Sequence, residues 1–171
     1  AELAYAQQDY QKAAQLFSEA LASGQAEAQS RLNQIHARLK KQAEIETYLT
    51  DFPADEYRLT AKKCPPLENL TASSIRSQNL KTLQQINHWE NCYNQFVEQL
   101  QQRFERSPLV PQELATLMTD AELARANQVL KQTYQRIGAE AQAQLKPMQA
   151  AITTWQSERV RAEELAYVAN P

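Results

Sequence analysis

Two cysteines and two histidines are the residues here best suited to chemistry, and their spacing sorts what they can do. Cys64 opens the run Cys64-Pro65-Pro66, and Cys92 lies in a helical stretch with His88 four residues before it. A zinc site usually takes four ligands at matched spacing. No CxxC or HxxxH occurs, so Cys64, Cys92, His36 and His88 do not read as a metal set. His88 and Cys92 stand one helical turn apart, the geometry of a thiolate–imidazole nucleophile. The chain has only two glycines, however, and no Gly-rich loop from which to build an oxyanion hole. The carboxylate pairs Glu44/Glu46 and Glu163/Glu164 lie on Lys/Arg-rich helical stretches and read as solvated faces. Acid–base work needs a pocket that separates the pKa values of such a pair. Phosphate loop, dinucleotide fingerprint and nucleophile elbow are all missing. The expectation is a chain with no catalytic, metal or cofactor-binding residues, and no enzyme.

The cysteines have a more direct use. Cys64 sits in a segment whose only evident apolar anchors are Leu67 and Leu70, and a disulfide to Cys92 would hold that segment down. The geometry permits it. A helix from Ser77 to Cys92 advances about 22 Å, and the thirteen residues from Cys64 to Ser77 span about 40 Å when extended. The segment can run back along the helix as a stiff strap. A Cys64–Cys92 bond implies a periplasmic or other extracytoplasmic location; two free thiols imply the cytoplasm. Trp89 and Trp155 read as core anchors. Asn69-Leu70-Thr71 matches the N-glycosylation pattern, which matters only on a eukaryotic secretory route.

Composition bounds the rest. The 171 residues suit one domain, or one small domain plus an appended element. Helix formers dominate, and the β-branched runs that mark strands are missing. Twenty-three glutamines, never more than two in a row, read as solvated helix faces. A formal charge of −2 argues against a nucleic-acid partner, which requires a concentrated basic face. Lys40-Lys41, Lys62-Lys63 and Arg159/Arg161 are short basic pairs of ordinary surface type. No stretch approaches the roughly 18 apolar residues of a membrane span. The chain opens with Ala1, not Met, and reads as trimmed or cut from something larger.

The elements that must position these residues are all helical. In residues 1–32, Ala4-Tyr5, Asp9-Tyr10, Ala13, Phe17 and Ala20-Leu21 recur at helical spacing, with Asp9 an N-cap and Gly24 a C-cap. Ala13 and Ala20, one heptad apart, allow close helix approach, and Phe17 fills the space between. This run resembles the second half of a tetratricopeptide repeat, and its continuation through Gly24, Ala26, Ala28 and Leu32 is similar to the Sel1-like variant. The resemblance covers about a fifth of the chain and implies a helical hairpin, either the last repeat of an array or a lone hairpin. It departs from the pattern after Leu32: Asn33 stands where a small residue is usual, and no second Asp-Tyr turn follows. Residues 26–50 read as one long terminal helix, ended at Phe52-Pro53.

Residues 51–73 form a Pro-rich connector containing Cys64. Residues 74–106 read as a second long helix, with Leu80, Leu83, Ile86, Trp89, Tyr93, Phe96, Leu100 and Phe104 on one face. Ser107-Pro108 stops it, and Pro111 opens a short helix at 112–117. Thr119 and Glu122 have the spacing of a capping box. They open a last helix to about Tyr167, whose Leu123, Leu130, Ile137 and Tyr134, Ala141, Met148, Trp155, Ala162 form two heptad rows. Pro147 is expected to kink or break it near Gln144. The segment Cys64-Pro65-Pro66, Thr71-Ala72-Ser73, Trp89 and Cys92-Tyr93 resembles segments of small bacterial cell-envelope proteins.

The expected fold is therefore all-α: a repeat-like hairpin (1–50), the connector (51–73) and a long antiparallel, coiled-coil-like hairpin (74–171). The expected function is a protein–protein interaction or scaffold module of the bacterial cell envelope, its partner another protein. Its rivals are a self-associating coiled-coil homodimer and an accessory helical domain of a larger enzyme. An exposed apolar stripe left over once the hairpin pairs favours interaction; a deep pocket with converging polar groups favours the enzyme.

Overall fold

The computed structural model describes residues 1–67 and 70–169, so Asn69 of the glycosylation pattern lies outside the described residues. The chain is all-α, with no strand among those residues. In chain order the helices are α1 (Glu2–Ala6), α2 (Tyr10–Ala22), α3 (Ala28–Lys40), α4 (Gln42–Leu49), α5 (Arg76–Gln101), α6 (Gln112–Ala115) and α7 (Asp120–Ala169). Two 3₁₀ turns, Asp55–Tyr57 and Leu59–Lys62, precede α5, and a π-helical turn, Gln102–Arg106, follows it.

The chain divides into two compact units: residues 1–52 with 108–131, and residues 53–107 with 132–171. In the first, α2 and α3 form the hairpin. The Asp9 carboxylate accepts the Lys12 amide at 3.1 Å, capping α2. Gly24 turns the chain at φ +92°, a conformation that costs glycine nothing. Ala13 is fully buried and Phe17 nearly so, in one core with Ala4, Ala28, Leu32 and Ile35, while Ala20 is only half-buried. The expected single helix over 26–50 is two helices. It breaks at Lys41, whose amide is shared by the Ala37 and Arg38 carbonyls while its ammonium reaches Glu44 and Glu113.

In the second unit α5 runs antiparallel to the later part of α7. Asn79 bonds Glu163 near one end, and Glu105 bonds Tyr134 near the other, so numbering rises on one helix as it falls on the other. Between these bonds Ile86 and Trp89 pack with Ile152 and Trp155. Of the kink or break expected at Pro147, the break does not occur: α7 runs through it without interruption. Proline removes one backbone bond. Leu145 and Met148 on either side pack against the Ile86–Trp155 core, which holds the helix together there.

Candidate functional site

Cys64 and Cys92 come together with Cα atoms 5.7 Å apart and sulfurs at disulfide distance, 2.06 Å. Cys92 Sγ is thereby engaged, and the exposed His88 one turn away has no thiol to deprotonate. His36 belongs to the other unit and is exposed too, as are Glu44, Glu46, Glu163 and Glu164. Among the described residues, no three His, Cys, Asp or Glu side chains gather as metal ligands. No helix of the described residues is long and apolar enough to cross a membrane.

The strap runs along the tryptophan core. Lys63, at φ +51°, turns the chain out of the last 3₁₀ turn, and Cys64, Leu67, Leu70 and Ala72 then pack against Ile86, Trp89, Ile152 and Trp155. Trp155 is 1% exposed, and its indole N–H donates to the Thr71 carbonyl at 3.2 Å. Buried Asn79 then latches the strap to both helices. Its Oδ1 accepts the Ser73 amide at 3.0 Å, and its Nδ2 donates to the Ser73 carbonyl at 2.7 Å and to Glu163 at 3.1 Å. An asparagine offers donor and acceptor together, so one side chain satisfies the strap's turn and the carboxylate at once.

Beyond Asn79 the hairpin ends in an open groove of about 400 Å³, lined by Arg76, Asn79, Leu80, Leu83, Arg159 and Glu163. Arg159 stacks 5.4 Å from the Trp155 ring centre and lies 4.0 Å from Glu163. Two further depressions border the strap. One is lined by Pro65, Pro66, Lys81, Gln84, Gln85 and His88; the other lies over Cys64, Trp89 and Met148. Neither brings together a nucleophile, a base and an oxyanion donor.

The apolar surface is unevenly placed. Seven large hydrophobic side chains stand exposed among the described residues, and six belong to this end of the hairpin: Ile75, Leu80, Val160, Leu165, Tyr167 and Val168. Leu165 is 63% and Tyr167 81% exposed. Single exposed hydrophobics are ordinary, whereas a concentration at one end is uncommon on a monomer's surface. The α7 heptad rows as read from the sequence include none of Val160, Leu165, Tyr167 and Val168, and Leu80, expected on the apolar face of α5, is 50% exposed.

The first unit holds a second feature that the sequence did not announce. Arg38, 7% exposed, donates to the Leu117 carbonyl and to Glu122, and its guanidinium lies 4.2 Å from the Tyr10 ring centre. Glu122 also completes the capping box, its Oε2 accepting the Thr119 amide at 2.8 Å while its own amide donates to Thr119 Oγ1 at 3.3 Å. Burial works against the Glu122 charge. The Thr119 amide and hydroxyl and the Arg38 guanidinium outweigh it, and the carboxyl is held below its ordinary value. Arg38, Glu122, Thr119 and the Leu117 carbonyl bond one another within the fold, so the cluster is a structural lock.

Comparison with known proteins returns no match: no family model fits the sequence, no curated protein resembles it, and no solved structure matches its fold.

Proposed function

We propose that this chain is a non-catalytic interaction module of the bacterial cell envelope that engages another protein through the open end of its long-helix hairpin. The observation that carries the reading is the gathering of Ile75, Leu80, Val160, Leu165, Tyr167 and Val168 at that end. A protein rim of this kind, apolar residues interleaved with Arg and Glu, is suited to covering by another helix. The Cys64–Cys92 approach supports an oxidising compartment, because such pairs persist outside the reducing cytosol. The Asp9-capped, Gly24-turned hairpin of α2 and α3 supports the tetratricopeptide or Sel1-like reading of residues 1–32, an architecture used for binding proteins.

A photo-reactive residue placed at Tyr167, with exposed Glu90 as the control position, tests this in cells that make the chain. Crosslinking to a protein from Tyr167 and not from Glu90 is expected. Equal or no crosslinking at the two positions overturns the reading.

A further inference from the structure

We propose that the molecule covering the open end of the hairpin is a second copy of this chain, docked antiparallel along the last turns of α7. This rests on the interaction reading above and names its partner.

The order of residues on the free face carries the argument. Val160, Arg161, Glu164 and Leu165 are all exposed and, at 100° per residue, share an arc of about 140°. Ile152 and Trp155, which face the α5 core, lie outside that arc. Read along the helix the four run apolar, basic, acidic, apolar, and they read the same from the other end with the charges exchanged. A two-fold axis between Ala162 and Glu163 sets Arg161 of each copy across from Glu164 of the other, and Val160 across from Leu165. Each contact then occurs twice, as a closed two-fold interface requires. Arg161 and Glu164 enter no ion pair among the described residues, so both charges are free for this use.

The charge of the whole end favours the same occupant. Arg76, Arg159 and Arg161 are matched in number by Glu158, Glu163 and Glu164, so the end has no net charge with which to draw a strongly acidic or basic partner. What it has is an alternation that its own reversed copy matches.

Sedimentation velocity of the purified, disulfide-intact chain over a concentration series provides the test. Arg161→Glu and Glu164→Arg are compared with the double exchange. All these positions are exposed, and unchanged far-ultraviolet circular dichroism verifies that the variants fold. The wild type is expected to dimerise reversibly. Each single exchange should weaken dimerisation at least about tenfold, since like charges then oppose each other twice, and the double exchange should restore it. A monomer at every concentration overturns the proposal. So does a dimer indifferent to the single exchanges, or a double exchange that restores nothing. The Tyr167 crosslink separates the two readings. A crosslink to a different protein, with the purified chain monomeric, sinks the second copy and leaves the interaction module standing. No crosslink removes both.

Discussion

Ala13 and Glu122 show how much one side chain can decide in this chain. Ala13 has no exposed surface, and the core around it is filled by Phe17, Ala28, Leu32 and Ile35. A larger residue there has no space to enter. Ala13→Leu should cost about 1–3 kcal/mol through overpacking, read as a lower urea midpoint; an unchanged midpoint would show that the α2–α3 contact is loose. Glu122 acts through charge. Removing it by Glu122→Ala leaves the Arg38 guanidinium buried without its carboxylate, which should cost about 3–5 kcal/mol. Glu113→Ala breaks only the exposed Lys41 pair and should cost less than about 1 kcal/mol. The pH dependence follows from the direction of the shift. The folded Glu122 carboxyl titrates below its unfolded value, so its contribution is complete above the ordinary carboxylate range and disappears as pH falls through the folded value. Wild type should therefore exceed Glu122→Gln in stability near neutral pH, and the gap should close on acidification. A gap constant from neutrality to about pH 2 would contradict the lock.

At the scale of the element, α7 carries a proline that its packing overrides. Pro147 is exposed, and the helix passes through it from Asp120 to Ala169. Its ring still denies the Ala143 carbonyl a partner, so the helix is weaker there than its neighbours make it look. Pro147→Ala restores that bond without disturbing Leu145 or Met148. It should raise stability by about 1–3 kcal/mol, measured as a higher thermal midpoint; a lower midpoint would mean that the core depends on the proline. The break at Lys41 is the opposite case. No glycine or proline stands there. The helix ends where Arg38 pairs with Glu122 and Lys41 with Glu113, both supplied by a distant part of the chain.

At the scale of the whole molecule, the Cys64–Cys92 approach closes a loop with a sequence separation of 28 residues. Among its described residues the strap inside it has no helix between Lys63 and Arg76, and it is held by Leu67, Leu70, Ala72, the Trp155–Thr71 bond and the Asn79 latch. Constraining such a loop in the unfolded chain contributes about 3–4 kcal/mol. Replacing both cysteines by serine should lower the unfolding free energy by that amount, read as a lower denaturation midpoint, and open the strap to limited proteolysis before the helices. Non-reducing mass spectrometry of protein from its native compartment should find the two cysteine peptides linked. Two alkylatable thiols there would move the chain to the cytoplasm.

The sequence by itself determined the local grammar. Helical periodicity, the Asp9 cap, the Gly24 turn, the Thr119–Glu122 capping box and the stop at Pro108 are short-range patterns set by neighbouring residues, and each is found where it was expected. The pairing of Cys64 with Cys92 was also legible, because a Pro-rich segment with two apolar anchors needs a tether. Only the tertiary structure decided the rest. Arg38 and Glu122 are 84 residues apart, as are Asn79 and Glu163, and nothing in either pair's surroundings announces its partner. The exposed end of the hairpin was hidden for the same reason. Val160, Leu165 and Val168 look like any apolar residues of a helix until the fold shows that the core is on the other side. Burial is a property of three-dimensional neighbours, and it alone separates an apolar residue that holds the fold together from one exposed on the surface.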